Sequence, residues 1–336
     1  MKLLTVTVPC YNSAEYMEKC IDSLLVGGER VEIIIIDDGS KDATGAIADS
    51  YAQKHPDIVR VIHQENGGHG EGINQGLIHA SGKYFKVVDS DDVMSEDFPT
   101  FLDKLEECEA QGGVDLVVTN YYYVHTDGIG DRSISYKSVL PSGRIFSWSD
   151  TKRFKLHQLL TIHSSTFRTE LMRKSPEPLP KHVFYEDNLM VYRTLPLVER
   201  MYYADMDLYR YWIGRPDQSV QESVMKKRYM HQVMVTERCF AVCHLDEVRE
   251  PMLKKYLKHE LFVMFGISIL NTRLNKTKES DNALTEMWKS CIAFDKKWGK
   301  HFRYRTPLTF ICLPGRFGQS FSVFIYRLAN KIVRFN

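Results

Sequence analysis

Residues 31–36 read Val-Glu-Ile-Ile-Ile-Ile, and this nearly unbroken apolar run constrains the fold more than any other feature. A strand without polar alternation is covered on both faces, as in the middle of a parallel sheet flanked by helices. The flanking pattern agrees. Strands are predicted at residues 3–8, 58–63, 83–88 and 114–118, with helical periodicity between them. Asn12 and Glu15 have the spacing of a capping box, and the helix after them puts Met17, Cys20, Ile21, Leu24 and Leu25 on one face. Further helices are predicted at residues 44–53, 72–80 and around 98–105. The alternation specifies an α/β fold with a mostly parallel, doubly wound sheet. Such sheets take ligands at the carboxyl ends of their strands, so chemistry belongs in the loops that follow them.

At roughly 150 residues per domain, 336 residues correspond to about two domains. From about Met225 the periodicity turns helical, which sets a boundary near residue 220. A first domain is expected over 1–220, with halves 1–120 and 121–220, and a helical region over 221–336. No apolar run reaches the roughly 18 residues of a membrane-spanning helix. Pro9 falls too early for the core of a signal peptide, and seven scattered cysteines argue against a disulfide framework. A cytoplasmic location is the expectation. The formal net charge of +1 gives no general reason to bind nucleic acid. Residues 296–336 nevertheless carry nine Lys or Arg and no Asp or Glu, leaving the rest of the chain at −8.

Four clusters fall where such a sheet would use them: Pro9-Cys10-Tyr11-Asn12, Asp37 to Asp42, Asp89-Ser90-Asp91-Asp92, and Tyr185-Glu186-Asp187-Asn188. An aromatic at a strand end can stack on a base, and a carboxylate can accept from a base N–H. Carboxylates in D-x-D spacing offer hard oxygen ligands to Mg²⁺ or Mn²⁺ shared with phosphate. Each cluster also has a plainer reading. Asp38-Gly39-Ser40 makes a turn, Asp89 to Asp92 a solvated loop, and Glu186-Asp187 a pair of acids meeting a helix dipole.

In their order and spacing, TVTVPCYN, IIIIDDGSKDAT, ENGGHGEGINQG, ASGKYFKVVDSDD and FYEDNLMVYR resemble the family-2 inverting glycosyltransferases of bacterial polysaccharide assembly, which have the GT-A nucleotide-sugar fold. The resemblance covers about the first 200 residues. It implies that Pro9 and Tyr11 pack the uracil of a UDP-sugar, that Asp38 reads its N–H, and that Asn66 contacts the nucleotide. It further implies that Asp89 and Asp91 form the D-x-D, with Asp91 the direct ligand of Mn²⁺ or Mg²⁺. Asp187, with Glu186 beside it, corresponds to the general base. The acceptor is then a saccharide, commonly lipid-linked, and residues 161–180 lie on its side. Many relatives have a phosphate-facing arginine where this chain has Ile73, which leaves Arg210 or Arg215 as candidate diphosphate contacts.

Three other readings compete. A haloacid-dehalogenase-type phosphatase would use Asp89 as nucleophile, but its strand normally comes first, whereas here three precede it. A sugar-nucleotide pyrophosphorylase needs a basic glycine-rich loop after the first strand. A non-catalytic nucleotide-sugar binder leaves Asp91 and Asp187 without a role. The glycines at 67–76 miss the dinucleotide fingerprint and are expected to admit the sugar nucleotide close to the backbone. In the tail, Phe321, Phe324, Ile325, Leu328, Ile332 and Phe335 share a helical face flanked by Arg327, Lys331 and Arg334. That pattern suits either docking on the protein or peripheral contact with an anionic membrane.

Overall fold

In the computed structural model, β1 (Leu4–Cys10) and β2 (Val31–Asp37) are buried at every residue. The structure describes residues 2–125, 128, 130–174, 177–214, 221–313 and 315–333. It comprises two units, residues 1–152 with 158–212, and residues 153–157 with 213–336.

The first unit is built on one sheet. Strands β3 (Val59–His63), β2, β1 and β4 (Tyr84–Val87) form its parallel half. Beyond β4 the order continues through β9 (Ser165–Arg168), β6 (Leu116–His125), β10 (Met201–Ile213) and β5 (Val93–Met94). Short strands β7 (Arg132–Ile134) and β8 (Ile145–Phe146) add to β6 and β10. Strand β9 runs antiparallel to both β4 and β6, so the sheet is mixed. Helices α1 (Met17–Leu25), α2 (Thr44–Lys54), α3 (His69–His79), α4 (Phe98–Ala110), α5 (Thr169–Arg173) and α6 (Glu186–Thr194) complete this unit.

Two local expectations change. Helix α1 starts at Met17, and Asn12 is not its cap. Asn12 has φ +51°, a left-handed conformation that asparagine tolerates, and its Oδ1 accepts from the Lys41 N–H instead. Helix α3 starts at His69, three residues before the predicted position, and lies flush on β1. A Cβ added at Gly72 would stand 3.0 Å from Pro9 Cβ, and one at Gly76 would stand 2.1 Å from Thr7 Oγ1. These glycines let a helix meet a strand.

The second unit contains α7 (Glu222–Lys227), α8 (Tyr229–Phe240), α9 (Pro251–Arg273), α10 (Lys278–Phe294), α11 (Lys296–Tyr304), α12 (Leu308–Ile311) and α13 (Gly315–Val333). Its core is aromatic. Phe265 stacks on Trp288 at 4.7 Å and meets Phe240 edge-on at 5.8 Å. Among the described residues, no helix is long and apolar enough to cross a membrane. On α13, Ser322 and Val323 are buried, whereas Phe324 is 60% exposed. Arg334 and Phe335, with the side chains of Leu328, Lys331 and Ile332, lie outside what is described.

Gly76→Ala should destabilise the first unit by about 1–3 kcal/mol, because the short, buried Thr7 side chain cannot swing aside. Thermal unfolding should show a midpoint several degrees lower. An unchanged midpoint would mean that α3 can lift from β1 without penalty.

Candidate active site

The carboxyl ends of β1, β2 and β4 are laced together by their own loops. The Asn12 N–H donates to Ser40 Oγ at 3.0 Å, and the Ala14 N–H to Asp42 Oδ2 at 3.2 Å. Ser13 Oγ and Ser90 Oγ are 2.8 Å apart, joining the loop after β1 to the turn after β4. Polar residues thus fix the floor of the site relative to the sheet.

At the end of β4, Asp89 faces two histidines. His69 Nε2 lies 2.9 Å from Asp89 Oδ1, and His163 Nε2 lies 3.7 Å from Asp89 Oδ2. The other nitrogen of His69 lies 2.7 Å from Glu186 Oε1. One imidazole therefore spans Asp89 and the acid pair in the first turn of α6. Burial opposes ionisation of Asp89, but the adjacent rings hold its carboxyl well below the usual range. Burial likewise opposes charge on His69, and its two carboxylate partners outweigh that and raise it well above the ordinary range. Asp187, next to Glu186, is pushed up to about 6 by burial and then by the Glu186 charge.

Asp92 is fully buried. Its Oδ2 accepts from the Tyr209 hydroxyl at 2.7 Å and its Oδ1 from the Trp212 N–H at 2.9 Å. Burial, followed by the charges of Asp91 and Asp89, raises its carboxyl well above the ordinary range. His163 packs against Tyr209 and Tyr211, with centroids 4.8 and 4.4 Å away. Beneath them, Lys86 is 1% exposed and donates to the carbonyls of Ile162, His163 and Ser165 at 3.3, 3.0 and 3.4 Å.

The sequence candidates fare differently. Tyr11 is 49% exposed at the end of β1, while Pro9 is buried against Gly72. Asp38 is 3% exposed. Its Oδ1 accepts from Gln64 Nε2 and the Gly67 N–H, and its Oδ2 accepts from the Gly68 N–H. A carboxylate has about four acceptor positions. Among the described residues, one is left on Oδ2. Asn66 is exposed and borders the Gly39 turn. Ile73 is a core residue, 1% exposed. Arg210 is not brought to the carboxylates. Its guanidinium lies 4.9 Å over the Tyr122 ring, and strand alternation puts it on the face opposite Tyr209 and Tyr211. Arg215 lies outside the described residues. Nearby, Phe167 is core, and the His182 N–H donates to the Gly67 carbonyl.

Sequence reasoning passed over His69, Lys86 and the keying of Asp92. A lone lysine inside the apolar strand Tyr-Phe-Lys-Val-Val signals a buried, fully bonded ammonium. A histidine directly after a glycine pair at the head of a helix is a weaker signal, because its partners lie 20 and 117 residues away.

Residues 5–174, about half of the chain, match the family described as glycosyl transferase family 2. The chain belongs to glycosyltransferase family 2. This glycosyltransferase is 29% identical to GlyA of Streptococcus pneumoniae over 80% of the chain and 38% of that protein. It is 33% identical to EpsJ of Bacillus subtilis over 62% of the chain and 60% of that protein. It thus spans less than two thirds of the length of these relatives. In fold it is similar to S. aureus TarS 1-349, with a TM-score of 0.66 at 19% identity over 99% of this chain and 92% of that one. It is also similar to the mannosyltransferase PcManGT of Pyrobaculum calidifontis in complex with GDP-Man and Mn²⁺, with a TM-score of 0.53 at 16% identity over 90% and 84% of the two chains. The fold is GT-A, a mixed sheet followed by a helical C-terminal region. Family membership removes the phosphatase reading of Asp89.

The residues present fit a divalent cation. Ligand atoms of Asp89, Asp92 and His163 lie within 4.8 Å of one another. Asp91 adds charge to the same turn, and the Asp92 carboxyl, raised by burial and then by the charges of Asp91 and Asp89, is one that a cation would help to ionise. Asp89 is common to this group and to the D-x-D pair. Asp89→Ala should therefore abolish any enhancement of UDP binding by Mn²⁺, as read by calorimetry. Enhancement that persists in this variant would place the metal elsewhere.

Proposed function

We propose that the chain is an inverting hexosyltransferase that moves one sugar from a UDP-sugar to a hydroxyl of a saccharide acceptor. The observation that carries this reading is the raised carboxyl of Asp187, at about 6, in an acid pair tied to the D-x-D aspartate. A base of that strength is largely ionised at neutral pH and still takes a proton readily. Asp187 accepts the proton of the acceptor hydroxyl as its oxygen attacks the anomeric carbon. Attack from the face opposite the leaving diphosphate turns an α-linked donor into a β-linked product.

On the donor side, half-exposed Tyr11 offers its ring face to uracil, backed by Pro9. The remaining acceptor position on Asp38 Oδ2 suits the uracil N–H, and Asn66 borders the same turn. Asp91 with Asp89 would hold Mn²⁺ or Mg²⁺, with Asp92 and His163 beside them. Bound there, the cation supplies positive charge to offset that developing on the diphosphate. A complex of S. aureus TarS 1-349 with UDP-GlcNAc supports a uridine donor on this fold. Residues 161–180 would then line the acceptor side.

We further place the enzyme at the periphery of the inner membrane surface, acting on a lipid-linked acceptor in surface-polysaccharide synthesis. Tyr304, Phe310 and Phe324 are 58, 63 and 60% exposed in a segment without acidic residues, and Arg327, three residues after Phe324, is exposed too. Aromatic and cationic groups together suit an anionic lipid surface.

Asp187→Asn should lower UDP release from a panel of UDP-sugars, UDP-N-acetylglucosamine included, by about 10²-fold or more. UDP affinity should remain at the wild-type level. Because only the ionised carboxylate accepts a proton, the wild-type rate should fall as pH drops through about 6. Near-normal turnover of Asp187→Asn would move the base elsewhere. In vesicle sedimentation, binding should rise with anionic lipid, weaken with salt and drop when residues 316–336 are removed. A full chain that ignores anionic vesicles at low salt would overturn the membrane assignment.

A further inference from the structure

We infer that His69 is a positioning residue for sugar transfer, a two-ended tie that sets the base-bearing head of α6 at a fixed distance from the D-x-D aspartate. The inference rests on the transferase reading above and extends it to a residue that the reading does not use. His69 touches neither reacting atom in that scheme. It acts through Glu186, the covalent neighbour of Asp187.

Three observations converge on this role. First, both ring nitrogens are engaged, at 2.7 Å by Glu186 and 2.9 Å by Asp89, so any rotation of the ring breaks both contacts. Second, the segment leading into α6 is seated on the head of α3, the helix that His69 begins. Asn74 brackets Leu179, accepting from its N–H at 2.8 Å and donating to its carbonyl at 3.0 Å. The His182 N–H donates to the Gly67 carbonyl at 2.8 Å. A Cβ added at Gly70 would stand 2.8 Å from Glu186 Cγ. Third, Tyr185, directly before the pair, has φ +68°, a conformation that a tyrosine keeps only where its surroundings impose it. The 179–186 segment is therefore docked along its length, and His69 is the contact that reaches across to β4.

The imidazole reaches Glu186 and Asp89 from two edges of one rigid ring, so a single side chain fixes both at once. Positioning matters here because an error of about 1 Å in a reacting group can lower a rate by about 10²-fold.

The test is a double-mutant cycle in the full chain, comparing wild type, His69→Ala, Glu186→Gln and the double variant. UDP release is read with the donor that wild type turns over, and UDP affinity by calorimetry. His69→Ala should lower kcat by at least about tenfold, leave UDP affinity and the KM for the donor within about threefold, and retain the fold by circular dichroism. Because His69 acts through Glu186, the double variant should be no slower than the slower single one. Losses that multiply, a wild-type kcat in His69→Ala, or a loss confined to KM would overturn the inference. Should His69→Ala not fold, His69→Gln with Glu186→Gln removes both charges while keeping volume, and a wild-type kcat in that pair overturns it equally. Asp187→Asn serves as the control. If that variant is slow while His69→Ala is fast, the tie is wrong and the transferase reading stands. If wild type releases no UDP from any donor, the transferase reading fails, and the inference fails with it.

Discussion

The close seating of α3 on β1 is the constraint on which the site depends. Gly72 and Gly76 leave no side chain between the helix and Pro9 or Thr7, so the helix lies against the strand. The head of α3 is thereby delivered to the carboxyl end of β1. Gly67 and Gly68 are fastened there by Asp38, and His69 is presented between β4 and α6. A larger residue at either glycine would lift the helix and move all of these groups together. The glycine-rich stretch, expected to admit a ligand, serves first to bring protein to protein.

The second constraint is electrostatic. Asp89, Asp91, Asp92, Glu186 and Asp187 gather negative charge near the end of β4, and burial raises the cost of each. The chain answers with different devices. Asp92 is satisfied by hydrogen bonds from a hydroxyl and an amide, and Asp89 and Glu186 share His69. Glu186 is 2% exposed, and a buried carboxylate that loses its partner costs about 3–5 kcal/mol. Asp187 lacks such full compensation, and its raised pKa records the deficit. A base needs that deficit, because a carboxylate held far below neutrality has little affinity for a proton. The same surroundings that stabilise its neighbours leave Asp187 with the proton affinity that its proposed role as base requires.

The parts legible in the sequence were those written in local pattern. The apolar run at residues 31–36, the alternation of strand and helix, and acids at successive strand ends require no knowledge of distant residues. The illegible parts depend on pairings across the chain. Asp38 reads as a base-recognising carboxylate, yet most of its acceptor capacity is used on Gln64, Gly67 and Gly68, a segment about 26 to 30 residues away. Asn12 reads as a helix cap, yet it holds the turn after β2. Arg210 reads as a candidate diphosphate contact, but strand alternation and the Tyr122 ring turn it to the other face. Helical periodicity likewise did not reveal that residues 153–157 belong to the second unit.

Lys86 explains how the two halves of the sheet are joined without loosening the site. At β4 the sheet passes from parallel to antiparallel pairing, because β9 arrives from a long excursion and runs the other way. Such a junction leaves carbonyls in the approach to β9 outside the regular ladder. The Lys86 ammonium has three donors, and the carbonyls of Ile162, His163 and Ser165 use all three. Burial pushes that ammonium down to about 7, a large cost to accept in a core. An apolar residue of similar volume would avoid this cost but leave three carbonyls unmatched in the interior. It would also free the segment that carries His163 over Asp89. The lysine is therefore best understood as fixing one wall of the site from behind, while α3 fixes the opposite wall from the side.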